Sequence, residues 1–492
     1  MKFFSKSFTL SWIALACVSI AHASPDKPNV VLIYADDMGY GEIEALNPKR
    51  CKVPTPSLNQ LAAEGVVFTD AHTTSSVCSP SRYSLLTGRY NWRTRLQSGV
   101  LQDGGEPLIS ADRMTLGALF QGQGYKTAMF GKWHLAYNYA LQDGAKQLKR
   151  KKGARLAKVP IGTKILEGPL TRGFDTFYGF HHARSMESIV QDDTLIQEIS
   201  SVEVLPAITK AAVDYIDANA KAASEGTPFF LYFPLSSPHT PILPAPEWIG
   251  KSGIGTYGDF VAQTDDSVGA VMNALERNGL TKNTIVIFSA DNGTSPAAKF
   301  AKLAEKGHFP SGDLRGAKSD LWDGGHRVPF ILRWPEIVKG GSSSDQLISL
   351  GDLFATFADF FNVTYGDHVA EDSISFLPTL HGKPNDTPRK DIVHHSIKGH
   401  FAIRQGPWKL LLSSGSGGWS KMKKPSKDKL PSMQLYHMDR DIGEQQNLVA
   451  EHPEKVASLL ALLENQVAAG RSTPGETQKN DVEVHIRKSQ KR

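Results

Sequence analysis

Short, nearly continuous apolar runs recur along the first two thirds of the chain. They cover residues 29–35, 127–130, 229–233 and 284–289. Runs of this length without polar alternation are typical of strands that are buried on both faces of a parallel sheet. Helical patterns lie between them, over 57–64, 115–121, 207–223 and 258–276. This alternation predicts an α/β fold with a large, doubly wound, mostly parallel sheet flanked by helices.

The pattern changes after about residue 385. Antiparallel strands are predicted over 401–404, 408–412 and 434–437, and an amphipathic helix over 453–468. We therefore expect a large domain over 24–385 and a smaller C-terminal α+β domain with an antiparallel sheet over 386–470. Residues 471–492 lack apolar periodicity and are predicted to form a polar tail.

Residues 1–23 have the three-part pattern of a cleavable secretory signal. Two lysines precede an apolar core over 8–20, and an A-x-A cleavage site follows at 21–23. A membrane anchor is the first alternative, but the apolar run is shorter than the roughly 20 residues that span a bilayer. Lipoprotein attachment at Cys17 is the second, but Leu15 lies one place too close to that cysteine. The sequence thus predicts export to the periplasm or the medium, without stable membrane insertion.

Composition narrows the function classes. The chain has 492 residues, with 55 Lys and Arg against 50 Asp and Glu, a near balance that argues against a dedicated nucleic-acid binder. Basic loops at 146–158 and 421–429 fit solvated loops or contacts with a polyanion. Three cysteines exclude a disulfide scaffold. After signal cleavage only Cys51 and Cys78 remain, and by count alone they could pair in an oxidising compartment.

Acidic and amide side chains follow two of the predicted strands. Asp36 and Asp37 come directly after the first strand, and Asp291 and Asn292 follow the last one. In doubly wound sheets, ligands bind beyond the carboxyl ends of the strands. Oxygen ligands suit Ca²⁺ or Mg²⁺ rather than zinc. Each pair taken alone also fits a helix cap or a tight turn.

The most specific feature is the string Cys-Ser-Pro-Ser-Arg-Tyr-Ser-Leu-Leu-Thr-Gly-Arg at 78–89. It resembles the C-x-P-x-R-x-x-x-L-T-G-R signature of the type I formylglycine-dependent sulfatases, of the alkaline-phosphatase-like superfamily. The resemblance implies that a maturation enzyme oxidises Cys78 to formylglycine, whose hydrate is the nucleophile. Cys51 is then a free thiol. Arg82 lies four residues after Cys78. If this segment is helical, the two residues share one face of the helix, and Arg82 would stabilise charge beside the nucleophile.

Further motifs extend the resemblance over nearly the whole chain. Gly-Lys-Trp-His at 131–134, Pro-His-Thr-Pro at 238–241 and the segment 316–329 match family elements, with Asp323 where glutamate is commoner. The stretches 434–439 and 444–448 match the family's C-terminal pattern. The family's catalytic residues correspond here to Cys78, Arg82, Lys132, His134, His239 and Lys318.

The resemblance also assigns roles to these side chains. Lys132 is assigned to the sulfate and formylglycine oxygens, and His134 to the hydroxyl that must lose its proton. His239 and Lys318 would hold the sulfate and protonate the leaving alkoxide. One Ca²⁺ ion, with Mg²⁺ less favoured, would be bound by Asp36, Asp37, Cys78, Asp291 and Asn292. It would offset charge repulsion and polarise the sulfur centre.

The sequence therefore predicts a secreted sulfatase acting on a sulfated polysaccharide or oligosaccharide. A bacterial branch that it resembles includes enzymes for 6-sulfated galactose or N-acetylgalactosamine, but chondroitin, ulvan, carrageenan and porphyran fragments all stay open. A phosphonate or phosphate ester hydrolase and a non-catalytic polyanion-binding protein are the alternatives. Cationic and aromatic groups are predicted to read the sugar at the rim of the site: Arg93, Arg95, Tyr178, His181, His182 and His326. The two arginines could instead cap a helix, and His326 could be a core histidine.

Overall fold

The structure is a computed structural model that describes residues 27–102, 104–140, 159–421 and 431–488. The predicted signal, the first basic loop up to residue 158, and residues 422–429 of the second loop lie outside these ranges. No helix within the described ranges is both long enough and apolar enough to cross a membrane.

The strands alternate with helices over most of the chain. The strands are β1 (Asn29–Ala35), β2 (Val66–Phe68), β3 (Ala71–His72), β4 (Lys126–Lys132), β5 (Asn138–Tyr139), β6 (Ile165–Leu166), β7 (Thr176–Phe180), β8 (Ser188–Gln191), β9 (Thr194–Glu198), β10 (Phe229–Pro234), β11 (Thr284–Ala290), β12 (Phe330–Arg333), β13 (Ser342–Ser344), β14 (Ile348–Ser349), β15 (Asp391–His395), β16 (Phe401–Gln405), β17 (Trp408–Leu411) and β18 (Gln434–His437). The α-helices are α1 (Pro56–Glu64), α2 (Cys78–Thr87), α3 (Leu116–Gly122), α4 (Val204–Ser224), α5 (Thr256–Arg277), α6 (Phe300–Glu305), α7 (Asp352–Phe360), α8 (Leu377–Leu380) and α9 (Pro453–Ala469).

A ten-stranded mixed sheet forms the core, in the order β13-β2-β12-β11-β1-β10-β4-β7-β8-β9. Its centre is parallel: β1 lies between β10 and β11, and β4 and β7 continue beyond β10 in the same direction. All seven residues of β1 and all seven of β11 are buried, as the continuous apolar runs predict. The carboxyl ends of β11, β1, β10 and β4 therefore meet at one edge of the sheet.

Two groups of helices flank this sheet. Helix α5 packs against both α1 and α4 in one group, and α2, α3 and α7 all contact one another in the second. Helix α2 spans Cys78–Thr87, so ten of the twelve signature residues are helical, and Cys78 and Arg82 lie one turn apart on it. The fold class read from the sequence is confirmed.

The C-terminal part of the chain carries an antiparallel sheet in the order β15-β16-β17-β18, with α9 packed against β16 and β17. Its apolar face also covers Tyr90 and Trp92, which directly follow the signature helix. The segment 471–488, expected as a polar tail, contains no helix or strand, and its Val484 and Ile486 pack against the same cluster. The C-terminal sheet thus packs through apolar contacts against the segment that directly follows the signature.

Candidate active site

The sequence motifs converge at the carboxyl edge of the central strands. Asp36 and Asp37 follow β1, Asp291 and Asn292 follow β11, and the Gly-Lys-Trp-His motif closes β4. The loop after β10 brings His239 to the same edge, and Cys78 opens α2 beside it. One ligand atom each of Asp36, Asp37, Cys78 and His239 lie within 4.8 Å of one another.

The backbone around Asp37 is held in an uncommon conformation. Asp37 has φ 65°, in the left-handed region that non-glycine residues rarely adopt. Its amide donates a hydrogen bond of 3.0 Å to Asp291 Oδ1, and its Oδ1 accepts one of 2.8 Å from Asn292 Nδ2. These contacts join the ends of β1 and β11. Strain of this kind persists where the surrounding structure fixes it, as at functional sites.

Three buried cations balance the three carboxylates. Lys132 Nζ lies 2.6 Å from Asp36 Oδ2, and Lys318 Nζ lies 2.7 Å from Asp37 Oδ2. Arg82 donates two hydrogen bonds, of 3.1 and 2.7 Å, to Asp291 Oδ2. All six side chains are buried. Because each carboxylate is paired with a cation, the cluster can exist in the interior of the protein.

The electrostatic field of this cluster shifts its acids and bases. Burial alone would raise the pKa of Asp36, but Lys132, His239 and Arg82 hold it well below its usual range. Burial opposes the charge of Lys318, yet Asp37 raises the pKa of its ammonium group. Both groups are therefore ionised at neutral pH.

Cys78 lies at the centre of the cluster. Its Sγ is 3.6 Å from Asp36 Oδ1 and 3.5 Å from Lys318 Nζ, and the residue is only 2% exposed. Burial and the charge of Asp291 raise the pKa of the thiol above its ordinary value. An unmodified Cys78 would thus stay protonated and be a poor nucleophile.

The imidazole of His134 is held with one nitrogen ready to accept a proton. Its Nε2 lies 3.1 Å from the carbonyl oxygen of Leu101, which can only accept, so Nε2 carries the proton. Nδ1 is buried and has no hydrogen-bond partner among the described residues. Burial, Lys132 and the neighbouring His182 lower the pKa of His134 well below its ordinary value. The ring is therefore neutral, with a free lone pair.

His239 faces both the carboxylates and the solvent. Its Nε2 lies 3.6 Å from Asp37 Oδ2, and its side chain is 15% exposed. Burial and the ammonium group of Lys318 lower its pKa.

A cleft of about 860 Å³ opens above these groups. Cys78, His134, His239 and Lys318 line its inner part. Its outer part has several lining residues that sequence reasoning missed: Gln102, Arg184, Glu187, Ser201, Ser295, Ile397 and Trp419. These residues lie in loops, and no motif or periodicity marks them. Trp419 follows a run of serine and glycine, which is the one local signal that could have drawn attention to it.

The prediction that Arg93 and His326 contact the sugar at the rim is wrong, because both side chains are fully buried and do not line the cleft. Arg93 forms a buried ion pair with Asp372. His326 stacks on His394 with ring centroids 3.5 Å apart, in the interior. Both were predicted at the rim because cationic and aromatic donors suit the hydroxyl and anionic groups of a glycan, but here buried partners hold both side chains in the interior.

Of the other four residues predicted to contact the sugar, only His182 lines the cleft. His182 lines the cleft, whereas His181 lies behind it, where its Nε2 accepts a 3.0 Å hydrogen bond from an amide. Tyr178 accepts a hydrogen bond from Gln197 on β9 and does not line the cleft. Arg95 is exposed, but its guanidinium donates to the carbonyl of Pro107 rather than toward the cleft.

The second cysteine is separate from this site. Cys51 is buried, forms no disulfide and donates a hydrogen bond of 3.2 Å to the carbonyl of Glu42. Burial raises the pKa of its thiol to about 12. The expectation of a free Cys51 is consistent with this geometry.

Comparisons with known proteins agree with these motifs. The family described as Sulfatase matches residues 28–363. The chain is 32% identical over 483 residues to an N-acetylgalactosamine-6-O-sulfatase of Bacteroides thetaiotaomicron, covering 89% of this chain and 93% of the relative. It is 30% identical over 499 residues to arylsulfatase A of Homo sapiens, covering 93% and 91%.

A solved structure has the same architecture. It is a protein of Bacteroides thetaiotaomicron described in connection with the metabolism of multiple glycosaminoglycans, and it superposes with a TM-score of 0.75 at 28% identity. The match covers 90% of this chain and 99% of that one. On the evidence of the signature, the clustered site and these similarities, the chain belongs to the sulfatase family and is a sulfuric ester hydrolase of the alkaline-phosphatase-like superfamily.

Proposed function

We propose that this protein is an exported sulfatase that removes sulfate from a sulfated glycan, at the 6-position of N-acetylgalactosamine or galactose. The observation that carries the proposal is the position of Cys78 at the bottom of the cleft, between Lys318 and the carboxylate of Asp36. The relative from Bacteroides thetaiotaomicron that is named an N-acetylgalactosamine-6-O-sulfatase supports the sugar and the position.

The nucleophile in this proposal is formylglycine made from Cys78. The Sγ atom of Cys78 marks where the oxygen atoms of the formylglycine hydrate would lie. Because Cys78 is 2% exposed, a maturation enzyme can reach it only before the domain folds. Modification during export fits the signal pattern of residues 1–23.

The residues present fit a divalent cation with oxygen ligands. Asn292 Oδ1 is buried without a hydrogen-bond partner among the described residues, and its amide nitrogen is already bonded to Asp37. A buried carbonyl oxygen of this kind is costly unless a ligand satisfies it. Asp36, Asp37, Asp291 and Asn292 would hold Ca²⁺, together with an oxygen at the Cys78 position. The ion would polarise the sulfate group and offset its charge.

The cations of the site would bind the sulfate oxygens. Lys318 lies 3.5 Å from Cys78 Sγ, so its ammonium can reach both the ester and the nucleophile. Lys132 and Arg82 hold Asp36 and Asp291 in place and add positive potential. Fixed charges that stabilise developing negative charge contribute strongly in a water-excluded site.

The two histidines would transfer protons. His134 has a free Nδ1 lone pair, which suits it to remove a proton from a hydroxyl at the Cys78 position. The side chain of His239 is 15% exposed and lines the cleft through which the leaving alcohol would depart. Protonation of the leaving alkoxide by His239 would give the free alcohol and complete the ester cleavage.

The depth of the nucleophile favours a sulfate on a primary alcohol. Cys78 is buried below the cleft, and a sulfate on C6 stands away from the sugar ring by one methylene group more than a ring sulfate. The ring can therefore stay in the wider outer cleft while the ester reaches Cys78. This supports 6-sulfated sugars among the glycans that the sequence leaves open.

Two measurements test the proposal. Peptide mass spectrometry of active protein should show Cys78 lighter by about 18 Da, the mass difference between a thiol and an aldehyde side chain. Sulfate release should be measured on 6-sulfated and 4-sulfated oligosaccharides, with the Cys78→Ala variant as control. Equal activity of the variant would contradict the proposal, as would faster cleavage of an aryl phosphate than of the matched aryl sulfate.

A further inference from the structure

A second cavity, of about 1200 Å³, lies beside the active-site cleft. We refer to it as the side cavity. Three pairs of consecutive residues divide the two spaces: one residue of each pair lines the cleft and its neighbour lines the side cavity. The pairs are Ser98–Gly99, Ile397–Lys398 and Gly418–Trp419. Consecutive Cα atoms are 3.8 Å apart, so a single thickness of chain separates the side cavity from the cleft.

The lining of the side cavity is positively charged. Lys398, Arg487 and Lys488 line it together with His400, and no described lining residue is Asp or Glu. Arg487 lies no nearer than 4.0 Å to the carboxylate of Glu464, and both of those side chains are largely exposed. Over the ranges that the structure describes, Lys398 and Lys488 have no ion pair. Within the described part of the chain, the charges of Lys398 and Lys488 are thus not neutralised, whereas Arg487 forms a long, exposed ion pair with Glu464.

Lys398 and Lys488 both lie close enough to His400 to affect its protonation. Burial, followed by the ammonium groups of Lys398 and Lys488, lowers the pKa of His400. Lys488 passes directly over Gly399, where a Cβ atom would lie 3.1 Å from its Cε and 3.3 Å from its Nζ. Gly399 therefore leaves the space that Lys488 occupies. Burial also lowers the pKa of Lys488, which indicates a partly desolvated ammonium group.

The dividing wall is held by hydrogen bonds. The amide of Gly99 donates to the carbonyl of Ile397 at 2.6 Å, and the amide of Leu321 donates to the carbonyl of Ser416 at 2.7 Å. The amide of Trp419 donates to Ser319 Oγ at 2.9 Å, one residue after the catalytic lysine in the chain. The indole of Trp419 nevertheless stays 48% exposed on the cleft side. The wall is therefore ordered before any ligand binds.

Serine and glycine make up most of the remaining lining. All six residues of the loop 413–418 line the cavity, three serines and three glycines, and Leu412 and Met433 are the large apolar side chains among its described lining residues. Small polar groups of this kind suit a ligand with many hydroxyls, and unpaired cations suit one with a negative charge.

We propose that the side cavity binds an anionic group, a carboxylate or a sulfate, on a sugar neighbouring the one whose sulfate is cleaved. The exposed ring of Trp419, on the wall between the two spaces, contacts the sugar chain where it crosses. This inference rests on the proposed glycan sulfatase function and adds that the substrate is a chain with at least two negative groups. A single sulfated sugar would fill the cleft alone.

The test compares substrates of different length and charge. The wild type and the Lys398→Ala/Lys488→Ala variant are assayed on an aryl sulfate, on a uronate-containing 6-sulfated hexasaccharide and on a sulfated galactan hexasaccharide without uronate. We expect kcat/KM of the variant to fall about tenfold or more on a hexasaccharide, as for the loss of charge-assisted hydrogen bonds. On the aryl sulfate it should change less than about twofold, because that substrate reaches only the cleft.

Matched variants separate charge from side effects. Lys398→Arg/Lys488→Arg should keep most of the activity on the hexasaccharide. Lys221→Ala/Lys282→Ala removes two exposed lysines that line neither space and should leave all three rates unchanged. Raised salt should narrow the difference between wild type and alanine variant, because it screens the cations.

The outcomes are distinct. Loss on the uronate chain alone identifies a carboxylate as the bound group, and loss on the galactan alone identifies a sulfate. Equal losses on hexasaccharide and aryl sulfate, or no loss on either hexasaccharide, would overturn the inference while the sulfatase activity stands. A wild-type protein that releases sulfate from none of the three would instead refute the proposed function.

Discussion

Arg93 donates two hydrogen bonds, each 2.8 Å long, to the carboxylate of Asp372, which lies 279 residues further along the chain. Both side chains are buried, and Arg93 also donates to Gln466 and Asn480. The pair joins the segment after the signature helix to the last part of the large domain. Arg93 is a structural residue.

Replacing Arg93 should therefore reduce stability rather than change specificity. We expect Arg93→Ala to lower the free energy of unfolding by about 3–5 kcal/mol, because Asp372 would stay buried without its partner. The measurement is denaturant unfolding, with exposed Arg95→Ala as the matched control expected to change stability by less than about 0.5 kcal/mol. If Arg93→Ala selectively impaired glycan hydrolysis and left stability intact, the sequence-based assignment would be restored.

Removal of the divalent cation should abolish turnover and leave a folded protein. The three carboxylates are each paired with Lys132, Lys318 or Arg82, so the metal-free cluster carries no unpaired acid. Added Ca²⁺ should restore activity and raise Tm, since a ligand that binds only the folded state stabilises it. Asn292→Ala should weaken this Tm shift. Full activity after chelation, with the metal content verified by elemental analysis, would contradict the assignment.

The pH dependence of activity should reflect the low pKa of His134. A base must be unprotonated, and a pKa held below 6.5 keeps His134 neutral into the acidic range. The acid limb of the rate profile should thus lie below pH 6.5. His134→Ala should reduce kcat by about 10²–10⁴-fold on an aryl sulfate and on a glycan alike. A variant that keeps kcat near the wild-type value would exclude His134 as the base.

Stability should vary with pH through a second buried cluster. Lys409 Nζ lies 2.6 Å from Asp323 Oδ1 and 2.9 Å from Glu444 Oε1, so two carboxylates share one ammonium group. Burial raises the pKa of Glu444 from an ordinary 4.5 to about 7, with Asp323 adding to the effect. The folded state therefore holds this proton more tightly than the unfolded state, and the resulting stabilisation is lost as pH rises from 4.5 through 7.

Melting curves at several pH values test this sign. The Tm of the wild type relative to that of Glu444→Gln should be highest near pH 4.5 and fall as pH approaches 8. The glutamine variant keeps the shape of the side chain but does not titrate. The pH dependence of the difference in Tm therefore reports the titration of Glu444 rather than a change in packing. A difference in Tm that grows with pH would show that the ionised Glu444 is the stabilising form.

The sequence predicts the centre of the fold and the inner site better than the periphery. The limits of β1 were predicted to the residue, because a continuous apolar run between polar residues is a local signal. Asp36 and Asp291 were placed together because parallel strand ends share an edge. The strands β7 to β9 were not predicted, since their apolar and polar residues are mixed and only β7 joins the parallel centre.

Long-range pairing explains most of the remaining errors. His326 lies within the family motif 316–329, yet its surroundings are set by β15 and β17, which carry His394 and Lys409. No local pattern reveals that a sheet 70 residues later packs over this position. Trp419 was missed for a similar reason, because its place on the cleft depends on Ser319 and Asp320, about 100 residues earlier.

The shared ammonium group of Lys409 limits how this protein can be recombined with its relatives. Lys409 lies on β17, whereas Asp323 belongs to the segment that also carries Lys318. A chimera that takes residues 386–488 from another sulfatase would leave the buried Asp323 without its 2.6 Å partner unless the donor has lysine or arginine at this position, with only Arg327 at 3.5 Å to balance its charge. Exchange of substrate preference by grafting the C-terminal sheet therefore has to carry residues 316–329 along with it.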